Sequence, residues 1–161
     1  MIIGITGKKR HGKDTIGKIL QEHFNDTELF SFAGPLKEAL SLILGIKLEN
    51  FYDEKLKESL VWGYCTPRSL LQWFGTEVIR KQFDEDTFIK SMKNRLTNSD
   101  KILKIVTDVR FDNEAELIHK MGGFIIKVDA SERVPASQDN HDSEEGINQM
   151  LVDFVLYNNG T

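Results

Sequence analysis

A glycine-rich stretch near the N-terminus combines the residue types that bind phosphate. It reads Gly-Lys-Lys-Arg-His-Gly-Lys-Asp-Thr over residues 7–15, between an apolar run at 2–5 and a helical pattern that begins near Ile16. A strand, Gly-x4-Gly-Lys and a helix in this order are typical of a phosphate-binding loop, or P-loop. The backbone N–H groups and the helix N-terminus of such a loop face phosphate oxygens, and Lys13 adds a positive charge for the outer phosphates.

The position after Lys13 departs from the usual form of this loop. Asp14 stands where a Ser or Thr ordinarily contacts Mg²⁺, and Thr15 follows one residue later. A carboxylate in the first turn is stabilised by the helix dipole, yet it repels a nearby phosphate. Two interpretations stay open: Mg²⁺ or its water shell neutralises Asp14, or Asp14 turns away and Thr15 takes the metal role.

A second group of candidate residues follows the apolar run at 102–106. This run would place Asp108 at the carboxyl end of a central strand, beside the phosphate loop. The placement suits a carboxylate that holds Mg²⁺ through water or positions a substrate, although an Asp there could also cap the next helix. Arg110 could bind a phosphate, or could form a surface ion pair with Asp112 or Glu114.

A third group lies on predicted helices in the middle of the chain. Arg68 and Gln72 are four residues apart and share one helix face, where a guanidinium can grip a phosphate and an amide can read a base edge. The alternative is an ordinary solvated face, which Gly75 disfavours because a glycine inside a helix costs roughly 1 kcal/mol without a packing or ligand reason. Lys37, one turn into another helix, could hold an acceptor phosphate or be solvated.

Two features near the C-terminus complete the candidates. The polar segment at 130–142 is predicted to be a mobile loop and hence a possible lid. At its end, the stretch 141–144 could suggest a metal site, but a helix cap formed by Asp142 or Ser143 is the better interpretation, with lid contacts second. Asn158 follows the last predicted strand, where a loop could contact an adenine edge.

The elements that must position these residues alternate between short apolar runs and amphipathic helices, which indicates a parallel α/β sandwich. Five strands are predicted, at 2–6, 28–32, 102–107, 123–128 and 153–156. Helices are predicted to begin at Pro35, Pro67, Asp86 as a cap and Asp112 as a cap, with Gly45 and Gly122 as stop signals. About seventy residues separate the second and third strands, which predicts an all-helical insertion at the ligand-binding edge of the sheet.

Length and composition restrict the class of protein. A chain of 161 residues with 40% hydrophobic and 29% charged residues is expected to form one globular domain. The net charge of −4 disfavours a nucleic-acid partner but not an anionic small molecule. Cys65 is the only cysteine, so a reducing compartment is expected, and the longest apolar run, at 40–46, is too short to span a bilayer. With no signal-peptide pattern, the predicted compartment is the cytoplasm.

Five phrases occur in one order along nearly the whole chain. They are Gly-x4-Gly-Lys-Asp-Thr at 7–15, Phe-Ala-Gly-Pro-Leu-Lys at 32–37, Arg-x3-Gln-x2-Gly-Thr at 68–76, Asp-x-Arg-x2-Asn-Glu at 108–114 and His-x-Ser-Glu at 141–144. Together they resemble the deoxynucleoside monophosphate kinases of tailed bacteriophages. The Gly-Lys-Asp-Thr form of the loop is itself part of that family's pattern.

The resemblance implies a fold and a reaction. The fold is a P-loop kinase α/β/α sandwich with a parallel sheet of about five strands, a core at 1–33 and 97–161, a nucleoside-monophosphate-binding (NMP-binding) insertion at about 34–96 and a lid at about 130–145. The reaction transfers the γ-phosphoryl of ATP, with Mg²⁺, to a deoxynucleoside monophosphate. A monomer or homodimer is expected, without a nucleic-acid or membrane partner, in the host cytoplasm if the protein is viral.

The motifs and the resemblance together predict roles for the candidate residues. ATP binding is expected of Gly7, Lys8, Arg10, His11, Gly12, Lys13, Asp14, Thr15 and Asn158. Substrate binding is expected of Lys37, Arg68, Gln72, Thr76, Arg110 and Glu114. The predicted catalytic residues are Lys13, Arg68, Asp108 and Arg110. The predicted metal ligands are Asp14, Thr15 and Asp108.

The chemistry of this reaction needs no general base, because a phosphate acceptor with a second pKa of about 6 is mostly ionised at neutral pH. The demand is for cations and N–H groups that shield two anions, which the lysines and arginines above provide. Two alternatives stay open. One is a P-loop kinase for another phosphorylated or hydroxyl acceptor, for which Asp108 could serve as base, and the other is a non-catalytic ATP-binding module.

Overall fold

The computed structural model describes residues 1–134 and 146–160. Its five strands form one all-parallel sheet in the order β2-β3-β1-β4-β5, which confirms the predicted α/β class and strand number. The strands are β1 (Ile2–Thr6), β2 (Thr27–Phe30), β3 (Leu103–Val106), β4 (Phe124–Asp129) and β5 (Phe154–Tyr157).

The helices lie between the strands in the predicted sequence intervals. The α-helices are α1 (Lys13–His23), α2 (Gly34–Leu44), α3 (Pro67–Gln72), α4 (Thr87–Asn98) and α5 (Asp112–Lys120). A π-helical segment (Trp73–Phe83) continues α3, and short 3-10 turns occur at Leu48–Phe51, Leu56–Glu58 and Gln149–Leu151. Within the described residues, none of these helices is long and apolar enough to cross a membrane.

Helices cover both faces of the sheet, and the side chains of β1 point alternately to one face and the other. Ile3 and Ile5 point to the face that packs against Ile16 of α1. Gly4 faces the other way, where a side chain would meet Ile118 of α5. Because β1 is covered on both faces, all five of its residues are buried, and only the last of them, Thr6, has a polar side chain.

Five segments follow the carboxyl ends of the parallel strands and meet at one edge of the sheet. Ligands bind at this edge in sheets of this kind. The segments begin with Gly7 after β1, Ser31 after β2, Thr107 after β3, Ala130 after β4 and Asn158 after β5. The fold therefore brings together residues that are far apart in the sequence.

The chain divides into two compact units. The first comprises Met1–Phe32 and Ile89–Thr161, and the second comprises Ala33–Phe88. The sequence predicts an insertion to about residue 96, whereas the second unit ends at Phe88. The later residues of α4 belong to the first unit because they bond to it: Arg95 Nη1 donates to the Ser31 carbonyl at 2.8 Å, and Lys104 Nζ donates to the Leu96 carbonyl at 2.7 Å.

Local signals set the helix boundaries of the second unit. Gly45 ends α2 in the left-handed conformation, with φ 65°, as its sequence predicts. Thr66 caps α3, because its side-chain oxygen accepts from Ser69 N–H at 3.1 Å while Ser69 Oγ accepts from Thr66 N–H at 3.0 Å. The π-helical segment was not predicted from the sequence. Its Gly75 packs closely on α2, where an added Cβ would lie 3.3 Å from Leu36 Cδ2.

Candidate functional site

The phosphate loop needs both of its glycines. Gly7 has φ 145°, and a Cβ there would lie 2.5 Å from the Val128 carbonyl oxygen at the end of β4. Gly12 has φ 98°, and a Cβ there would lie 2.7 Å from Asn158 Nδ2. These positive φ values and close approaches exclude larger residues, so the loop lies directly on its neighbours in the sheet.

Lys13 is the first residue of α1, and its ammonium group folds back onto the loop. Nζ donates to the Gly7 carbonyl at 2.6 Å and to the Lys8 carbonyl at 2.9 Å. The positive charge is thereby held at the loop, where outer phosphates are expected. Lys8 and Arg10 are exposed on the same loop, and Arg10 adopts a left-handed φ of 65°, which is unfavourable for a side chain with a Cβ.

His11 attaches the loop to the segment after β4. Its ring is 5% exposed, and Nδ1 lies 3.1 Å from Ala130 N and 3.3 Å from the Val128 carbonyl oxygen. Because a backbone N–H can only donate, the shorter contact makes Nδ1 an acceptor in a neutral ring. The side chain of His11 is therefore a tether inside the protein, and its predicted role in ATP binding stays a prediction.

The surroundings of His11 favour the neutral ring. Burial is the main cause that lowers the pKa of His11 below its ordinary value, and the Lys13 and Lys8 charges lower it further. The Val128 carbonyl and the Asp129 carboxylate, whose Oδ1 lies 3.9 Å from Nδ1, act in the opposite direction without cancelling the effect. The tether is thus kept neutral at physiological pH.

Asn158 contacts the phosphate loop from the end of β5. Its side-chain Nδ2 donates to the His11 carbonyl at 3.0 Å. The sequence predicts an adenine contact for this residue, which stays a prediction. The observed partner is the loop backbone, 147 residues away along the chain.

Asp14 and Thr15 lie exposed on the first turn of α1. Their oxygen atoms match the preference of Mg²⁺ for hard ligands. Across residues 1–134 and 146–160, no group of three or more His, Cys, Asp or Glu side chains is arranged to hold a metal.

Asp108 is fixed by the residues that follow β2. Its Oδ2 accepts from Ser31 Oγ at 2.7 Å, and its Oδ1 accepts from Phe32 N–H at 2.7 Å. The alternative in which Asp108 caps the next helix is therefore wrong. The half-buried carboxylate instead stands in a fixed orientation at the carboxyl edge of the sheet.

The start of α5 also differs from the sequence prediction. The N-cap position is Phe111, so the prediction of Asp112 as the cap is wrong, and Asp112 Oδ1 accepts from Asn148 N–H at 2.8 Å. Glu114, only 3% exposed, closes the helix end because its Oε2 accepts from Arg110 N–H at 2.8 Å and Phe111 N–H at 3.2 Å. Glu114 therefore holds the backbone of Arg110 in place.

In the second unit, Arg68 is held by two carboxylates. Nε donates to Glu58 Oε1 at 2.7 Å, and Nη2 lies 3.5 Å from Glu54 Oε2. The Arg68 side chain is only 14% exposed, which excludes a freely solvated arginine. The carboxylates take the edge formed by Nε and Nη2, so the guanidinium has a fixed orientation before any ligand binds.

Lys37 is also held within the second unit. Its Nζ lies 4.1 Å from the centroid of the Tyr52 ring, a cation–π contact. Thr76 is 6% exposed in the π-helical segment, and Gln72 is half-buried at the end of α3. The structure thus places four of the predicted substrate residues, Lys37, Arg68, Gln72 and Thr76, in one compact unit.

Several residues with a role in this unit were missed from the sequence. Tyr52, Glu54 and Glu58 lie in a segment without motif or clear periodicity, so no signal connects them to Lys37 or Arg68. Arg80 is 8% exposed, with its guanidinium carbon 5.5 Å from the Phe88 ring centroid. Arg80 lies four residues after Thr76, so these two polar residues lie on the same buried side of the helix. This spacing could have identified Arg80 from the sequence.

The predicted lid is only partly described. Residues 135–145, which include the stretch 141–144, lie outside the described residues. Arg133 precedes them, and its Nε donates to the Asn158 carbonyl at 3.4 Å.

Comparison with known proteins gives one consistent result. A model of the deoxynucleotide monophosphate kinase family matches residues 1–65 and 53–161. A protein of Acanthamoeba polyphaga mimivirus, assigned as a deoxynucleotide monophosphate kinase, is 34% identical over 176 residues, covering 100% of this chain and 90% of the relative. The deoxynucleoside-5'-monophosphate kinase of Escherichia phage T5 is 24% identical over 223 residues, and the match covers 98% of this chain and 89% of the relative.

Among solved structures, shikimate kinase from Acinetobacter baumannii matches with a TM-score of 0.48 and 15% identity, covering 99% of this chain and 84% of that one.

Proposed function

This chain belongs to the deoxynucleotide monophosphate kinase family and is a kinase of deoxynucleoside monophosphates, and we propose that it uses ATP as phosphoryl donor. The products are then the deoxynucleoside diphosphate and ADP. The observation that supports this best is the phosphate loop, whose glycines, neutral His11 tether and folded-back Lys13 prepare a cradle for phosphates. The residues proposed to bind this phosphoryl donor are Gly7, Lys8, Arg10, His11, Gly12, Lys13, Asp14, Thr15 and Asn158.

The second unit carries four of the residues proposed to bind the acceptor. Arg68 and Lys37 would bind the acceptor phosphate, because both cations are already oriented by neighbours and lose little freedom on binding. Gln72 would contact the base, and Thr76 would line the site. Arg110 would add charge at the sheet edge, and we assign Glu114 to holding the Arg110 backbone.

Mg²⁺ fits the oxygen atoms at the edge of the sheet. Asp14, Thr15 and Asp108 would hold it, directly or through water, and it would neutralise charge on the donor phosphates. The fixed orientation of Asp108, with both oxygens accepting hydrogen bonds, suits a residue that positions a hydrated cation.

The same hydrogen bonds favour a phosphate acceptor over a hydroxyl acceptor. A hydroxyl would need a base, and Asp108 is poorly suited to that role because Ser31 and Phe32 already donate to its two oxygens. An ionised phosphate needs no base. Within the first unit, Lys13 and Arg110 would lower the barrier by stabilising charge on the transferred phosphoryl group.

The test is a coupled assay of ADP formation from ATP with a panel of acceptors. The four deoxynucleoside monophosphates, the ribonucleoside monophosphates and the unphosphorylated deoxynucleosides are each added with Mg²⁺, and then with the metal chelated. We expect at least one deoxynucleoside monophosphate to stimulate ADP formation, only with Mg²⁺. Stimulation by deoxynucleosides alone would favour a hydroxyl kinase, and stimulation by no acceptor would favour a non-catalytic ATP-binding module.

Removing the Arg68 guanidinium should weaken acceptor binding selectively. We expect Arg68→Ala to raise the KM for the deoxynucleoside monophosphate by about 10- to 100-fold, because a charged hydrogen bond to phosphate contributes roughly 1.5–3 kcal/mol. The KM for ATP should stay within about twofold. Steady-state kinetics with each substrate varied in turn provide the measurement.

The matched control for Arg68 is Lys81→Ala, which removes an exposed cation of the same unit that pairs with Glu77. This variant should keep both KM values. An Arg68→Ala enzyme with an unchanged acceptor KM would show that the ion pairs with Glu54 and Glu58 are the sole role of Arg68.

The predicted oligomeric state, monomer or homodimer, and the predicted cytoplasmic compartment remain predictions.

A further inference from the structure

We propose that Asn158 is a positioning residue for the phosphate loop and does not select the base of the donor. The inference rests on the proposed function, in which the loop binds a nucleoside triphosphate. It departs from the sequence-based expectation of an adenine contact. The contacts that support it all lie within the first unit.

The side-chain amide of Asn158 is bonded to the loop itself. Its nitrogen donates to the His11 carbonyl at 3.0 Å and lies 2.7 Å from the position that a Cβ of Gly12 would take. The carbonyl can only accept, so it is the nitrogen of the amide that faces it. The amide therefore packs on the peptide between His11 and Gly12.

The backbone N–H and carbonyl of Asn158 are also hydrogen-bonded, so its side-chain amide donates a hydrogen bond from a fixed position. Its backbone N–H donates to the Asp129 carbonyl at 2.7 Å, next to the last residues of β4 and β5. Its own carbonyl accepts from Arg133 Nε at 3.4 Å. A donor that is already fixed in this way can restrain the loop without a further loss of side-chain freedom.

The bond to His11 sets the direction of a predicted phosphate donor. In a planar trans peptide, the carbonyl of one residue and the N–H of the next point in opposite directions. Holding the His11 carbonyl toward Asn158 therefore turns the Gly12 N–H to the opposite side. Within residues 1–134 and 146–160 that N–H has no hydrogen-bond partner, so it is available to a phosphate oxygen.

Two ligand comparisons separate a positioning role from a base-reading role. Comparing the KM values for ATP and GTP shows how strongly the base affects donor binding. Inhibition by inorganic tripolyphosphate, which competes with ATP and has no base, shows how well the phosphate loop alone binds phosphates. We expect Asn158→Ala to raise both KM values and the tripolyphosphate inhibition constant by a common factor of about 10, the loss of one hydrogen bond that orients a donor. The ratio of the ATP and GTP values should be unchanged.

Further variants make the test specific. Asn158→Asp keeps the shape but places an oxygen against the His11 carbonyl, so it should be at least as impaired as Asn158→Ala. Asn159→Ala, which alters the exposed neighbour, should match the unmodified protein. Thermal unfolding of each variant identifies any change caused by loss of fold.

The proposal is overturned if Asn158→Ala changes the ATP-to-GTP ratio while tripolyphosphate inhibition is constant, or if it changes nothing. Failure of the proposed function is recognised separately, because the unmodified protein would then form no ADP with any monophosphate. In that case, calorimetric binding of ATP, GTP and tripolyphosphate to the same variants applies the same criteria without turnover.

Discussion

Replacing Lys13 with alanine is expected to lower kcat by about 10²- to 10³-fold, the usual cost of removing one group that stabilises transition-state charge. The Lys13 ammonium group lies 2.6 Å from the Gly7 carbonyl and 2.9 Å from the Lys8 carbonyl, so its charge is at the loop before the donor binds. The KM for ATP should rise as well, because the same charge contacts the bound phosphates. The coupled ADP assay measures both constants.

Two further variants separate the charge of Lys13 from its hydrogen bonds. Lys13→Gln can still donate to a loop carbonyl but carries no charge, and it should be nearly as impaired as Lys13→Ala. Lys18→Ala removes an exposed lysine of the same helix and should behave like the unmodified protein. If Lys13→Gln retained full activity, the role of Lys13 would be to close the loop and not to stabilise phosphoryl transfer.

Gly7→Ala is the second change with a large expected effect. Its Cβ would lie 2.5 Å from the carbonyl oxygen of Val128, which is backbone of β4 and cannot move aside as a flexible side chain could. We expect the loop to shift, with a loss in kcat/KM for ATP of about 10²-fold, since a displacement near 1 Å at a reacting group can cost that much. The free energy of unfolding should fall by about 1–3 kcal/mol.

Gly122→Ala is the matched control, because Gly122 has φ 76° in the same unit but nothing within 4 Å of an added Cβ. Strain alone should lower its free energy of unfolding by about 1 kcal/mol without affecting kcat/KM. Urea unfolding and steady-state kinetics on both variants provide the comparison. Equal losses of activity in the two variants would contradict the claim that the close approach to Val128 matters.

Local signals in the sequence were sufficient for the secondary structure around the site. Each predicted strand overlaps an observed one, and for the fully buried β1 the reason is an apolar run, which is distinctive of a buried parallel strand. The helix starts at Thr66-Pro67 and the helix end at Gly45 follow from capping chemistry, which depends on neighbouring residues only. The π-helical segment has no such local signal, since its Gly75 is explained by the approach of Leu36 from another helix.

The sequence also identified residues without identifying their partners. Asp108 was predicted at the correct edge of the sheet, yet its bonds to Ser31 and Phe32 span about 76 residues of chain. Asp112 was predicted to cap α5, but the fold uses its carboxylate to accept from Asn148. Glu54 and Glu58 could not be connected to Arg68, because no periodic pattern links the turns at 52–58 to a later helix.

By itself, the sequence determined that this chain has a phosphate loop, a parallel α/β sheet and the five ordered phrases of a deoxynucleotide monophosphate kinase. The loop and the separate strands and helices follow from short-range spacing, whereas the family is indicated by the resemblance of the five phrases taken together. Only the tertiary structure decided what holds the loop, because β1, β4 and β5 are adjacent through the order of the sheet. That order brings Val128, Ala130 and Asn158 onto Gly7, His11 and Gly12, and no local pattern encodes it.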